Sequence, residues 1–197
     1  MTPELFAAIV AFTFVTVITP GPNNLMLMAS GANFGFRRTL PHMVGIGIGF
    51  PSMVVLVGLG AMQLFDLWPL SYSLLRVLSV AYLLYLAWRI ANAAPPKDTP
   101  AEGRPLTFLQ AAAFQWVNPK AWSMGLGSIT LFAPERDLAA ILWVAGTYVA
   151  MSVISTSAWT ILGQQMRRLL TRPTRLRAFN WVMAGLLVAS LIPALMQ

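Results

Sequence analysis

The sequence is poor in charge and contains no cysteine. Only 10% of its 197 residues are Asp, Glu, Lys or Arg, whereas 57% are hydrophobic. A soluble domain carries about 25% charged residues, because polar groups have to cover much of its surface. The scarcity of charge therefore excludes a soluble enzyme or binding module, and the high apolar content excludes a disordered chain. We expect an integral membrane protein.

Residues that bind metals or carry redox chemistry are scarce as well. A chain without cysteine can form no disulfide, no cysteine-ligated zinc site and no thiol relay. One histidine and six acidic residues leave little for a metal site, and no nucleophile–base pair stands out. We therefore expect no enzyme, no cofactor and no metal. The basic residues behind the net charge of +7 are spread over short gaps, so no nucleic-acid partner is expected either.

Six apolar runs are long enough to cross a bilayer, which takes about 20 helical residues. They cover about 5–30, 42–64, 71–91, 106–132, 138–162 and 178–196. The first four residues carry no basic side chain, and no small-residue cleavage site follows the first run. This run is therefore expected to be a span and not a signal peptide. The prediction is an all-α integral membrane protein, one domain over 1–197 with six transmembrane helices.

The basic residues between the runs predict the orientation of the chain. Ten of the thirteen lie in the first, third and fifth gaps: Arg37, Arg38, Arg89, Lys97, Arg104, Arg167, Arg168, Arg172, Arg175 and Arg177. Only Arg76 and Arg136 belong to the opposite side. Short basic loops stay in the cytoplasm. The first, third and fifth gaps are therefore predicted to be cytoplasmic, and both termini outside.

Proline interrupts two of the six runs near their middle. The first run reads Thr-Pro-Gly-Pro-Asn-Asn over 19–24, and the fourth reads Asn-Pro-Lys over 118–120. The two breaks are separated by about half the length of the chain, which predicts two three-span halves, 1–94 and 104–197. Because three is odd, the second half is inverted relative to the first, as in many secondary transporters. The alternative is coincidence, since membrane helices tolerate proline.

The first break has the composition of a binding site. Pro20 and Pro22 remove two backbone donors and Gly21 adds conformational freedom, so a short unwound stretch is expected at the bilayer centre. A half-helix beginning near Pro22 would present free N–H groups to a carboxylate. The carbonyls before the two prolines would accept from an ammonium group. Asn23 and Asn24 either bind the substrate or cap the half-helix.

Lys120 is the one basic residue placed deep inside a span. A lysine at the bilayer centre costs about 2.5–3.5 kcal/mol on insertion scales, and about 20 Å is too far for its side chain to reach the surface. It is predicted either to pair with a substrate carboxylate or to lose its proton during transport. Asn118 either binds substrate or caps. The predicted substrate-binding residues are Pro20, Gly21, Pro22, Asn23, Asn24, Asn118, Pro119 and Lys120.

One face of the fifth run carries a row of polar and aromatic side chains at helical spacing. The row consists of Tyr148, Ser152, Ser155, Thr156 and Trp159. These residues either line a transport path or donate to carbonyls of their own helix. His42 opens the second run on the cytoplasmic side, either as an interfacial side chain or as a proton sensor. The glycines at 45, 47 and 49 predict close helix packing, because no strand precedes them as a dinucleotide-binding loop requires.

In combination, these motifs resemble the LysE/RhtB-type amino-acid exporters. Residues 19–24, 33–38 and 45–49 resemble the N-terminal signature of that family, 81–88 its third span and 114–122 its fourth. The matches cover nearly the whole chain in order and spacing. The Pro-Gly-Pro-Asn-Asn form of the first break looks closest to the branch that exports cysteine and O-acetylserine.

The resemblance implies a secondary active exporter of small amino acids or their derivatives, driven by an ion gradient, in the cytoplasmic (inner) membrane of bacteria. Its partners would be a zwitterionic amino acid and the lipid bilayer, and self-association into a homo-oligomer stays open. The physical pattern agrees, because a zwitterion offers a carboxylate to a half-helix N-terminus and an ammonium to freed carbonyls. Two alternatives are a passive small-solute channel and an exporter of another small solute, such as a metal cation.

Overall fold

The computed structural model describes residues 2–61, 63, 67–68, 70–93 and 104–192, and every regular element in this part of the chain is helical. The helices are α1 (Pro3–Ile18), α2 (Pro22–Phe34), α3 (Phe36–Gly58), α4 (Leu70–Ala91), α5 (Phe108–Val117), α6 (Pro119–Phe132), α7 (Leu138–Leu169) and α8 (Pro173–Ala189). The all-α prediction is confirmed. Lys97 and the far end of the predicted sixth span, 193–196, lie outside the described residues.

Several helices are built to contact lipid. Among the described residues, Phe36–Gly58, Ser73–Ala91 and Leu138–Leu169 are each long and apolar enough to cross a bilayer, and α1 with α2 forms a fourth candidate bent by 56°. Large apolar side chains such as Leu74, Trp143 and Trp181 are more than half exposed on the outside, where water would disfavour them. The number of spans and the inverted halves stay predictions.

Both proline segments interrupt the helical backbone. α1 ends at Ile18, Thr19 and Gly21 are extended, and α2 begins with Pro22 in its first turn. Farther along the chain, α5 ends at Val117, and α6 begins directly after the extended residue Asn118. Proline suits the first turn of a helix, because the N–H that it lacks would have no helical partner there. Proline therefore stands in the first turn of both α2 and α6, the helices that follow the two breaks.

The connections between helices gather at two opposite ends of the molecule. One end brings the α2–α3 turn next to the end of α4 and next to the end of α7. Gly35 makes that turn with φ +79°, and the N–H of Phe36 donates to Gln164 Oε1 at 2.8 Å. At the other end, Gly60 lies beside Arg136. Six arginines assigned to the basic gaps therefore lie together at the first of these ends: Arg37, Arg38, Arg89, Arg104, Arg167 and Arg168.

Glycine allows the central helices to approach closely. A Cβ on Gly31 of α2 would fall on the carbonyl oxygen of Thr160 in α7, and one on Gly45 of α3 would lie 2.5 Å from the Phe108 carbonyl oxygen. Gly49 meets α5 in the same way, so close packing is confirmed at two of the three glycines for which it was predicted. Gly47 is the exception, with its nearest neighbour at 4.0 Å. These contacts hold α2 against α7 and α5 against α3.

Candidate functional site

The two helix breaks meet at a small polar cavity in the middle of the bundle. Its volume is about 40 Å³, and it is lined by both breaks together with α3 and α7. The lining residues are Thr16, Val17, Gly21, Asn23, Asn24, Ile46, Phe50, Gln115, Asn118, Lys120, Ala121, Met124, Ser152, Ser155 and Thr156. We refer to this space as the central cavity.

Lys120 joins the two breaks. From the first turn of α6 its ammonium donates to the carbonyl oxygen of Thr19 at 2.7 Å, to Thr19 Oγ1 at 2.8 Å and to the Pro20 carbonyl at 3.4 Å. No acidic side chain of the described residues pairs with it. Lys120 thus donates to the carbonyl before Pro20, one of the two carbonyls that the sequence suggested as acceptors for a substrate ammonium. The other is not free, because the Gly21 carbonyl accepts from Leu25 within α2.

Gly21 leaves the space that Lys120 fills. A Cβ at this position would lie 2.6 Å from Lys120 Cδ and 3.1 Å from its Nζ. The backbone of Gly21 is extended, with φ −175°, a conformation that other residues adopt as well. This glycine is therefore required by the approach of the lysine and not by the backbone.

The start of α2 presents free backbone donors to the central cavity. Its N-cap is Gly21, so no side chain caps it. The N–H groups of Asn23 and Asn24 make no hydrogen bond to another described residue, and the first bonded N–H is that of Leu25. A helix start with free N–H groups and a positive dipole end attracts anions. This end of the cavity can therefore hold a carboxylate.

Asn24 and Asn118 stabilise the breaks themselves. The buried Asn24 amide donates to the carbonyls of Val17 at 2.7 Å and Thr19 at 2.8 Å, which the end of α1 leaves without helical partners. Asn118 Oδ1 accepts from the N–H of Lys120 at 3.2 Å and so caps α6. Of the two roles suggested for Asn118, substrate binding and capping, the structure contains the capping interaction.

Asn23 is paired across the bundle. Its side-chain amide donates to Gln115 Oε1 at 2.8 Å, and Gln115 returns a bond to Asn23 Oδ1 at 3.2 Å. The fully buried Gln115 also donates to the carbonyl of Ala111 in its own helix. This pair ties the start of α2 to the end of α5, so it links the two broken helices at a second point besides Lys120.

Three residues of the polar row of α7 bond to other helices, and Thr156 bonds to its own. Ser155 and Trp159 donate to the carbonyls of Val17 and Ile18, at 2.7 and 3.0 Å. Ser152, Ser155 and Thr156 line the central cavity, whereas Tyr148 and Trp159 do not. Thr156 donates back to Ser152 within α7. The Tyr148 hydroxyl reaches the Met124 carbonyl at 3.3 Å, and its ring packs edge-on against Phe50.

The sequence predicted the Thr19 carbonyl as an acceptor for an ammonium group but omitted Gln115 from the predicted binding residues. The Thr19 hydroxyl, which also accepts from Lys120, was not predicted either. Gln115 requires the facing register of α2 and α5, which a single sequence does not contain. Three predicted site residues, Pro20, Pro22 and Pro119, shape the backbone and do not line the cavity.

Broken helices that meet at a polar cavity inside an apolar bundle are typical of secondary transporters. Residues 14–191 match the family model described as LysE type translocator. The chain belongs to this family, which confirms the resemblance and makes the protein a membrane transporter and not an enzyme.

The chain is also similar to curated relatives named cysteine/O-acetylserine efflux protein. Those of Escherichia coli (strain K12), Escherichia coli O9:H4 (strain HS) and Shigella sonnei (strain Ss046) are each 32% identical over 192 residues. These alignments cover 95% of this chain and 96% of each relative. No solved structure matches the chain.

Proposed function

We propose that this protein exports small amino acids or close derivatives from the bacterial cytoplasm by alternating access. Six spans in two inverted halves, 1–94 and 104–197, would change shape around the central cavity and couple export to an ion gradient. The observation that carries the proposal is the Lys120 ammonium on the Thr19 carbonyl, where the two breaks meet. The names of the relatives support cysteine and O-acetylserine, both zwitterions, as the first substrates to test.

Each charged group of a zwitterion has a matching position in this cavity. The carboxylate would accept from the free N–H groups of Asn23 and Asn24 and from the ammonium of Lys120. Hydrogen bonds between charged groups of this kind are about twice as strong as neutral ones. The substrate ammonium would then take the Thr19 carbonyl that Lys120 leaves. Binding thus exchanges a lysine–carbonyl contact for a lysine–carboxylate contact.

The central cavity is too small for a substrate, as expected of a carrier that has no substrate bound. A water molecule needs at least about 10–15 Å³ of such volume, so about 40 Å³ holds only a few waters. An amino acid enters only if Lys120 swings aside and the breaks part. A passive channel would instead hold a continuous water path. The need for rearrangement favours a carrier, because binding and conformational change are then coupled.

Counterflow in proteoliposomes tests the function and the site together. Vesicles loaded with unlabelled substrate should accumulate labelled L-cysteine or O-acetyl-L-serine, and uptake should saturate. The chain has no cysteine, so a reductant that keeps the substrate reduced leaves the protein unaffected. Linear uptake without counterflow would indicate a channel and contradict the proposal.

The decisive variant is Lys120→Met, and the exposed Arg175→Met is its matched control. Loss of a charged hydrogen-bond partner removes about 1.5–3 kcal/mol, which corresponds to about tenfold or more in counterflow at low substrate. Lys120→Arg keeps the charge but misplaces it, so an intermediate rate is expected. Near-normal counterflow by Lys120→Met would overturn the site assignment and leave the export function standing.

A further inference from the structure

A second, larger cavity opens at the end of the molecule that carries the basic gaps. It lies between the end of α2, the start of α3 and the end of α4, and its volume is about 350 Å³. Pockets for small ligands occupy about 300–1,000 Å³. In this conformation the cavity therefore has room for an amino acid, whereas the central cavity does not. We refer to it as the entry cavity.

Two arginines give the entry cavity its charge. Arg89 at the end of α4 donates through Nη2 to the carbonyl of Arg104 at 3.0 Å, and both residues line the cavity. Among the described residues no acidic side chain lines the cavity, and neither guanidinium pairs with a carboxylate. A guanidinium has five donors in a planar fork that fits a carboxylate. Most of these donors have no partner among the described residues, so the cavity favours an anionic group.

Other polar residues of the entry cavity are already paired. Asn33 and Asn180 exchange hydrogen bonds at 2.8 and 3.1 Å, and Ser30 and Thr39 share one at 2.8 Å. His42 differs: it is 1% exposed, and neither ring nitrogen has a hydrogen-bond partner in the described part of the chain. A buried polar group without a partner requires an explanation. A neutral imidazole always has one N–H to donate and one nitrogen to accept.

Successive helical turns connect the entry cavity to the central cavity. On α3, His42 lines the entry cavity and Ile46, one turn later, lines the central one. On α2, Met26 lines the entry cavity and Asn23, one turn earlier, lines the central one. Residues three or four apart share a helix face. The two cavities therefore lie along one face of each helix, with His42 between the arginines and the first break.

We propose that the entry cavity is a separate binding site for the carboxylate of the exported solute, reached from the cytoplasm before the central cavity. The proposal rests on the function proposed above. Arg89 and Arg104 bind the carboxylate of an α-amino acid. The solute then passes His42, whose ring nitrogens gain partners when α2 and α3 separate, and reaches the free N–H groups of Asn23 and Asn24.

A site at one end of the path predicts an asymmetry between the two faces of the membrane. Arg89→Gln with Arg104→Gln should raise the KM for substrate presented at the cytoplasmic face by about tenfold, the effect of losing a charged hydrogen bond. The KM at the opposite face and the maximal rate should stay within about twofold, since the central cavity is unchanged. Counterflow in vesicles of known protein orientation measures each face separately.

The matched control is Arg167→Gln with Arg168→Gln. This arginine pair lies at the same end of the molecule but outside the entry cavity. Its substitution therefore removes the same amount of positive charge from that end. Arg89→Lys with Arg104→Lys keeps the charge without the fork and should restore part of the affinity. His42→Leu should slow transport without lowering the melting temperature, because it removes a buried polar group that has no partner.

Three outcomes would overturn the proposal. The first is an unchanged KM at the cytoplasmic face in the Arg89 and Arg104 variant while the wild type transports normally. The second is an equal loss with the Arg167 and Arg168 control. The third is a KM effect seen in phosphatidylglycerol vesicles and absent from pure phosphatidylcholine, which would assign the arginines to a lipid headgroup. Failure of wild-type counterflow with every amino acid would contradict the proposed function itself, and the entry site with it.

Discussion

Oxygen atoms of the first break hold the Lys120 ammonium where the two helix breaks meet. The Thr19 carbonyl, its hydroxyl and the Pro20 carbonyl take the place of a carboxylate partner. Neutral oxygens stabilise an ammonium without binding it as firmly as a paired acid would. A substrate carboxylate can therefore compete for the lysine, and Gly21 leaves the side chain room to move.

Gly21→Ala tests the space that Lys120 occupies. The new Cβ would lie 2.6 Å from Lys120 Cδ, so the lysine must leave the Thr19 carbonyl. The extended backbone of Gly21 accepts alanine, so folding should persist. We expect counterflow to fall about tenfold or more, the loss of one charged hydrogen bond, with the melting temperature nearly unchanged.

Gly146→Ala in α7 is the matched control, because a Cβ there has no neighbour within 4 Å among the described residues. This variant should transport like the wild type. Equal rates in the Gly21 and Gly146 variants would contradict the proposed position of the lysine.

At the scale of elements, the end of α1 is bound by side chains of other helices. Asn24 of α2 and Ser155 and Trp159 of α7 all donate to carbonyls of its last residues. The prolines predicted where the helix would break, because they act on their own backbone. They contain no information on which distant side chains bind the freed carbonyls. The partners of Val17 and Ile18 therefore emerge only from the packing of α7 against α1 and α2.

The contact between α2 and α7 depends on glycine. A Cβ on Gly31 would overlap the Thr160 carbonyl, which is backbone and cannot turn away. Overpacking a tight contact destabilises by about 1–3 kcal/mol, so Gly31→Ala should lower the free energy of unfolding by that amount in a detergent-based titration. Gly185→Ala in α8, which has open space, should cause no loss. Equal stability of the two variants would show that the helices can separate at no cost.

At the scale of the whole molecule, the ends of the bundle differ in charge. Six arginines, which the sequence assigned to one side of the membrane, lie at one of these ends: Arg37, Arg38, Arg89, Arg104, Arg167 and Arg168. The all-helical structure likewise followed from composition, because a helix satisfies its own backbone hydrogen bonds in lipid. The two cavities did not follow from it. Whether side chains leave space between helices depends on their packing, which hydropathy does not describe.

Single-cysteine labelling tests the predicted orientation without background, since the chain has no cysteine of its own. Basic loops should remain in the cytoplasm. Thr2→Cys and Glu135→Cys should therefore react with a membrane-impermeant maleimide added to intact cells, and Thr171→Cys only after permeabilisation. All three positions are exposed. The reverse labelling pattern would show that the protein has the opposite orientation, with the entry cavity on the outer face.

The central claim is that Lys120 binds the substrate carboxylate, and ligand-induced stabilisation tests it most directly. A ligand at 100 times its Kd stabilises the folded state by about 2.7 kcal/mol. Purified wild type and Arg175→Met should show this increase with O-acetyl-L-serine or L-cysteine, measured as a rise in melting temperature, and Lys120→Met should show none. An equal rise in Lys120→Met would contradict the claim, because the substrate would then bind without the lysine.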